Sequence, residues 1–367
     1  MSSKKSLSLL LGTILVLVLT LIPVFSACTS SPSAPAKVPA PVPSTPAAAQ
    51  APAAAKALEL SYSTPGPATA YQSVVMQNAL KEIEQRTNGQ VTFKFYWGGA
   101  LHAAGAVYDG VVAGGADMGY DQPSYSKGRF PVIETLEQPW GYPNCFVANR
   151  IAWDALKKFN PPELKDTRIF GTASFGHPVL ITNKPVRTLA DLKPLKIRGT
   201  GNMASMIQAL GAAAVSMPIF EVYDALRKNT VDGALVGPET LSMYKFTEVV
   251  KYCTDVSFIA PNMVTLAFMN LNRYNSLSPD IKKVFDETSE KYIDIMGQEI
   301  EKKSLEAFDY AKQNNVELIT IPAGEQPQWQ SAMQTLTTKF VADTQAKGIP
   351  AQDVAAFVQD AIKKAAK

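Results

Sequence analysis

From about residue 57 onward the chain alternates short β-patterned runs with stretches of helical period, and that alternation restricts it to an α/β architecture. Leu58-Glu59-Leu60-Ser61-Tyr62 has the alternation of a half-buried strand and breaks at Thr64-Pro65-Gly66-Pro67. Residues 68–87 carry Val75, Ala79, Leu80 and Ile83 on one helical face, with Asn88-Gly89 as a stop. A strand over 91–96, a helix over 103–113 and a strand at Asp117-Met118-Gly119-Tyr120 follow. A second set opens near Phe170, with strands at 179–182 and 195–198 and a helix face of Met203, Met206, Ile207 and Leu210. A helix over 219–228 and a strand over 231–236 complete it. Strands joined by helices predict βαβ units and largely parallel sheets. After Ser278-Pro279 a helical pattern persists for roughly 35 residues, long enough to cross two lobes. Residues 326–346 and 351–366 are predicted to form two last helices.

The front of the chain has a different character. Lys4 and Lys5 precede an uncharged apolar stretch over 7–25, and Phe25-Ser26-Ala27 brings small residues up to Cys28. This layout predicts a signal peptide over 1–27 rather than a spanning helix. Cys28 is the predicted lipidation site, with Phe25 where such sites usually carry Leu; plain secretion or an uncleaved anchor are the alternatives. Residues 28–56 are Pro, Ala and Ser with little to bury, the composition of an extended tether. The body of roughly 310 residues exceeds one ordinary core and predicts two lobes. Lobe I is expected over 57–176, lobe II over 177–262, a lobe-spanning segment with the long helix over 263–314, and C-terminal helices completing the lobes over 315–367.

Charge narrows the function. Lys and Arg number 35 against 32 Asp and Glu, a formal charge of +3, so no basic stripe marks a nucleic-acid partner. His102 and His177 are the only histidines, and neither has a ligand-spaced neighbour. That is poor material for a zinc site or a Ser-His-Asp triad, and no metal, cofactor or catalytic residue is expected. Cys145 and Cys253 could pair in an exported protein, but their spacing does not say whether they do.

The most informative segment is Leu195 to Leu210. Arg198 closes a strand, Gly199-Thr200-Gly201 turns the chain, and a helix follows with Asn202 as its expected N-cap. Open α/β sheets bind ligands beyond the carboxyl ends of their strands. A helix N-terminus favours an anion there, and a guanidinium grips a carboxylate through two parallel bonds. The alternative is a surface arginine paired with a nearby acid. Gly199-Thr200-Gly201-Asn202-Met203-Ala204 also fits the loose G-x-G-x-x-A dinucleotide pattern. It lies midway along an exported chain, however, which disfavours a nucleotide-dependent oxidoreductase.

Leu195-Lys196-Ile197-Arg198, Ala209-Leu210-Gly211-Ala212, Ser216-Met217-Pro218, Glu221-Val222-Tyr223-Asp224-Ala225-Leu226 and Val231-Asp232-Gly233 form an ordered series. It resembles the substrate-binding subunits of TRAP transporters, the DctP type. Gly89-Gln90-Val91, Gly99-Ala100-Leu101 and Gly114-Gly115-Ala116-Asp117-Met118 resemble the N-terminal lobe of that family, so the similarity spans nearly everything after the tether. The resemblance implies an α/β, two-lobed periplasmic-binding-protein-like clamp with a long helix spanning both lobes. Such a clamp would be an extracytoplasmic, lipid-anchored binding protein and not an enzyme, delivering a small organic carboxylate to TRAP membrane permease subunits. The same clamp could instead present its closed form to a receptor kinase. It further implies that Arg198 salt-bridges the ligand. Thr64, Trp97, Tyr120, Asp121 and Gln122 would face the cleft from the first lobe. Phe175, His177, Asn202, Phe220, Val236 and Glu239 would complete it, with core packing the alternative for Trp97 and Phe220. His177-Pro178 stands where many members carry a second basic residue. Leu235-Val236-Gly237 lacks the Asn of the sialic-acid and dicarboxylate types, and Ala234-Leu235 replaces the Glu-Trp pair of the metal-bridged 2-oxoacid branch. An aromatic or branched monocarboxylate is therefore the expected ligand.

Overall fold

The computed structural model describes residues 57–175, 178–259 and 262–366. The first lobe begins with β1 (Leu58–Ser63), α1 (Tyr71–Arg86), β2 (Val91–Tyr96), α2 (Val107–Val112) and β3 (Met118–Asp121). It continues through α3 (Pro131–Leu136), α4 (Cys145–Phe159) and β4 (Thr167–Ser174). The second lobe runs β5 (Val179–Thr182), α5 (Leu189–Leu192), β6 (Lys196–Arg198), α6 (Gly201–Ala209), β7 (Ala213–Val215), α7 (Val222–Arg227), β8 (Gly233–Val236), α8 (Thr240–Met243) and β9 (Tyr252–Asp255). The chain then returns through β10 (Val264–Asn270), α9 (Leu271–Asn275), α10 (Pro279–Gln313), β11 (Glu317–Thr320), α11 (Gln326–Gln345) and α12 (Ala351–Ala365).

Two sheets result, ordered β2-β1-β3-β10-β4 and β11-β9-β5-β8-β6-β7. Each is covered on both faces, which is why β8 and β10 bury nearly continuous apolar runs. In the first lobe Leu60, Met76, Leu80, Ile83 and Tyr292 fill one face, and Val111, Ile133, Ala152 and Phe268 fill the other. In the second, Ile197, Met206, Leu235 and Trp329 pack on one side, and Ile181, Val222, Leu226 and Phe246 on the other. The sheets are mixed where largely parallel ones were expected. β1 runs parallel to β2 and β3, and β6 to β7 and β8, as βαβ units require. β10, however, is antiparallel to β3 and β4, and β5 is antiparallel to β8 and β9. The physical reason is connectivity: a strand arriving directly from the other lobe enters the sheet from its opposite end.

The long helix α10 has 35 residues, about 52 Å at 1.5 Å per residue. Ser278 caps it by accepting from the Ile281 N–H, and Pro279 sits in its first turn. Phe285, Tyr292, Ile293, Met296 and Ile300 belong to the core of the first lobe, whereas Phe308 and Ala311 belong to that of the second. The helix therefore spans both. Cys145 and Cys253 are buried, one in each lobe, and no disulfide joins them. Among the described residues no helix is long and apolar enough to cross a membrane. The leader, Cys28 and the tether lie outside the described residues.

Candidate functional site

A pocket opens beyond the carboxyl ends of β1, β3, β6 and β8, where the two lobes meet. Open α/β sheets place ligands there because successive loops diverge and leave a crevice. Thr64, Tyr120, Asp121, Gln122, Phe175, Arg198, Phe220, Val236 and Glu239 all line it. His177 lies outside the described residues.

Arg198 ends β6 and is 2% exposed. Its Nε and Nη2 donate to the Met217 carbonyl at 3.0 and 2.9 Å, which clamps the fork in one orientation. Tyr125 and Tyr244 are its charged-form supporters, and burial lowers its pKa. Among the described residues it has no carboxylate partner, and it is the single cation of the pocket wall. An enclosed guanidinium without a counter-ion is costly and is relieved by an anion that enters the pocket.

The two acids on the wall are both held away from ready ionisation. Asp121 accepts from the backbone N–H groups of Gly105 and Val107, each at 3.2 Å, and of Gln122 at 2.9 Å. Burial outweighs those bonds and pushes its pKa up to about 6. Burial likewise pushes Glu239 up to about 7. The remaining wall is aromatic and hydroxylic. Tyr120 shares a 2.6 Å hydrogen bond with Thr265, Tyr125 accepts from the Ile219 N–H at 3.3 Å, and Phe220 meets the Tyr244 ring edge-on at 5.9 Å.

Two expected residues stand elsewhere. Trp97 is absent from the wall because its ring stacks on Phe95 at 5.0 Å and tilts against Tyr62 at 5.6 Å, in the core. Asn202 is not the N-cap: the extended residue before α6 is Thr200, so Asn202 falls inside the first turn. Its side chain instead donates to the Glu134 carbonyl of the first lobe at 2.7 Å. The whole start of α6 faces the first lobe and not the pocket. Gln122 donates to the Thr200 hydroxyl at 3.1 Å, and Ser124 shares a 3.2 Å bond with it. Gly201 has φ +52, and a Cβ there would lie 2.7 Å from Ser124 Cβ. No residue of α6 belongs to the pocket wall.

Sequence reasoning did not include Tyr62, Gln72, Ser73, Tyr125, Tyr244, Met263 or Thr265, which also line the pocket. Tyr125 sits on the turn after Pro123, three residues past Gln122, so following that loop further would have reached it. Met263 just precedes β10 and Thr265 lies in it, far along the chain, and nothing local points to the cleft.

A family model described as "Bacterial extracellular solute-binding protein, family 7", DctP, matches residues 62–344. A solute-binding protein of Albidiferax ferrireducens is 26% identical over 287 residues, covering 72% of this chain and 77% of its own length. The 2,3-diketo-L-gulonate-binding periplasmic protein of Escherichia coli is 26% identical over 273 residues, covering 72% and 81%. Among solved structures, a TRAP solute-binding protein of Rhodoferax ferrireducens in complex with copurified benzoate is similar at 25% identity and a TM-score of 0.78, covering 84% of this chain and 98% of that one. A TRAP periplasmic solute-binding protein of Desulfovibrio salexigens matches at 28% identity and a TM-score of 0.74, covering 84% and 96%.

Proposed function

Because the chain belongs to family 7 of the bacterial extracellular solute-binding proteins, the DctP type of TRAP transport, and is a binding protein and not an enzyme, we propose that its ligand is a monocarboxylate with an aromatic or branched apolar body. One observation carries this reading: Arg198 is the single cation of a small aromatic pocket and has no acidic partner among the described residues. One bound carboxylate balances it. A second carboxylate would meet Asp121 and Glu239, acids already pushed up by burial, and a buried charge without a partner is costly. Sugar hydroxyls are poorly served, since Asp121 is taken by backbone N–H groups and Gln122 by Thr200. The related benzoate-bound protein supports the aromatic option. A thermal-shift panel followed by calorimetry tests it: benzoate, phenylacetate or mandelate should bind at least tenfold more tightly than succinate, malate or gluconate. Tighter binding of the dicarboxylates or the sugar acid would overturn the assignment.

The finer cellular placement follows from the sequence. The protein works outside the cytoplasmic membrane, and Cys28 carries the lipid that holds it there, with 28–56 as the tether. Phe25-Ser26-Ala27-Cys28 supports this. Cys28→Ala should release the protein from the membrane fraction or stall its processing; a soluble mature chain retaining residues 1–27 would contradict it.

A further inference from the structure

Glu239 follows the Gly237-Pro238 turn after β8, and its side chain folds back over Gly237, where any Cβ would collide with the carboxylate. It forms part of the pocket wall and is 2% exposed. Its Oε2 accepts from the Ser304 hydroxyl of α10 at 3.4 Å, a long contact. No lysine or arginine reaches it among the described residues. The groups facing it are themselves weak acids: Tyr71 from α1, Tyr120 from β3, Cys145 from α4 and Tyr244 at the end of α8. Glu301 of α10 lies behind Cys145 and accepts its backbone N–H at 2.8 Å. Arg198 of β6 and Asp121 at the end of β3 belong to the same pocket wall. The Tyr71 hydroxyl is buried without a hydrogen-bond partner. Burial outweighs the backbone N–H and the Ser304 hydroxyl that favour ionised Glu239.

We propose that Glu239 takes up one proton when the clamp binds its carboxylate ligand, and that in the bound state it is a neutral hydrogen-bond donor facing the pocket. The inference rests on the monocarboxylate reading above. An entering anion adds a like charge to an enclosed space in which Glu239 has no cationic partner among the described residues, and that disfavours the ionised form. Burial pushes Glu239 up to about 7, so at about pH 8 the proton must come from solvent on binding. Around about pH 6 the acid is already protonated and no uptake is needed. Linkage through Glu239 then weakens binding by up to about tenfold per pH unit above neutrality. An extracytoplasmic clamp of this kind grips harder in mildly acidic medium.

Calorimetry with benzoate tests this on the whole protein. Heats measured at about pH 8 in phosphate and in Tris, whose ionisation enthalpies differ, give the proton count directly. The expected result is an uptake of about 0.5–1 proton per benzoate at that pH, the part that depends on Glu239 falling towards zero near pH 6. Glu239→Gln should abolish the buffer dependence and flatten the pH profile of the affinity. Buffer-independent heats in the wild type at about pH 8 would overturn the inference while leaving the ligand class standing, and this arm needs no variant to fold. Uptake that persists in Glu239→Gln would assign the proton elsewhere and equally overturn it. If benzoate, phenylacetate and mandelate give neither heat nor a rise in melting temperature at any pH, the ligand-class reading fails and takes this one with it.

Discussion

Replacing Arg198 by alanine separates ligand affinity from fold stability. The guanidinium is buried, held by one carbonyl and lacking an acidic partner among the described residues. Its removal loses two bonds to Met217, worth about 0.5–1.5 kcal/mol each, and also removes an unbalanced buried charge, which is stabilising. These terms oppose, so the melting temperature of the empty variant should move by only a few degrees. Binding has no such compensation. A charge-assisted hydrogen bond contributes about 1.5–3 kcal/mol, and a buried carboxylate left unpaired costs more. Losing about 2–4 kcal/mol weakens Kd roughly 30- to 1000-fold. At 100 times the wild-type Kd, ligand stabilises the wild type by about 2.7 kcal/mol; a variant weakened 100-fold retains about 0.4 kcal/mol. Melting curves with and without benzoate read both effects in one experiment. Arg198→Lys should recover only part, because an ammonium cannot make the paired bonds of the fork. A folded Arg198→Ala protein with wild-type ligand stabilisation would refute the anion site.

Two further outcomes follow from the lobe contacts and the core. Gly201→Ala forces a Cβ to 2.7 Å from Ser124 in a left-handed backbone, a strain of about 1–2 kcal/mol. The lobes should then approach less closely, with benzoate affinity about tenfold weaker and a larger radius of gyration by X-ray scattering at saturating ligand. Unchanged scattering and affinity would contradict the close approach. Glu137 is buried, accepts from the Val264 N–H at 3.1 Å and is pushed up to about 8 from an ordinary 4.5. The folded protein therefore keeps a proton that the unfolded chain has released, and stability falls as pH rises from about 4.5 to 8. Glu137→Gln keeps an acceptor for Val264 and removes that loss, so its melting temperature should gain on the wild type across this window. A difference that stays constant with pH would rule the linkage out.

The elements that carry a periodic apolar face were legible from sequence. Val75, Leu80 and Ile83 announced α1, Met203, Met206 and Ile207 announced α6, and the long pattern after Ser278 announced a helix reaching both lobes. α4 and β10 were not assigned, although Asn144 caps the first and seven residues build the second. Missing β10 concealed both the antiparallel pairing of the first sheet and two pocket residues, Thr265 within the strand and Met263 just before it. Such pairings depend on where the chain crosses between lobes, which no local pattern encodes. Arg198 was legible because a strand end followed by Gly-Thr-Gly fixes its place. Trp97 was not, since its neighbour Phe95 offers a stacking partner that only register reveals. Asn202 was misplaced by two positions because Thr200, also a fair capping residue, takes the extended conformation first.

The account turns on a single carboxylate answered by Arg198, and an isosteric pair of ligands isolates it. Calorimetric titration with phenylacetate and with phenylacetamide changes the anion to a neutral amide while leaving ring and length alone. The amide should bind at least about 30-fold more weakly, the loss of roughly 2 kcal/mol, and the difference should collapse in Arg198→Ala. Equal affinities for the two ligands in the wild type would contradict it.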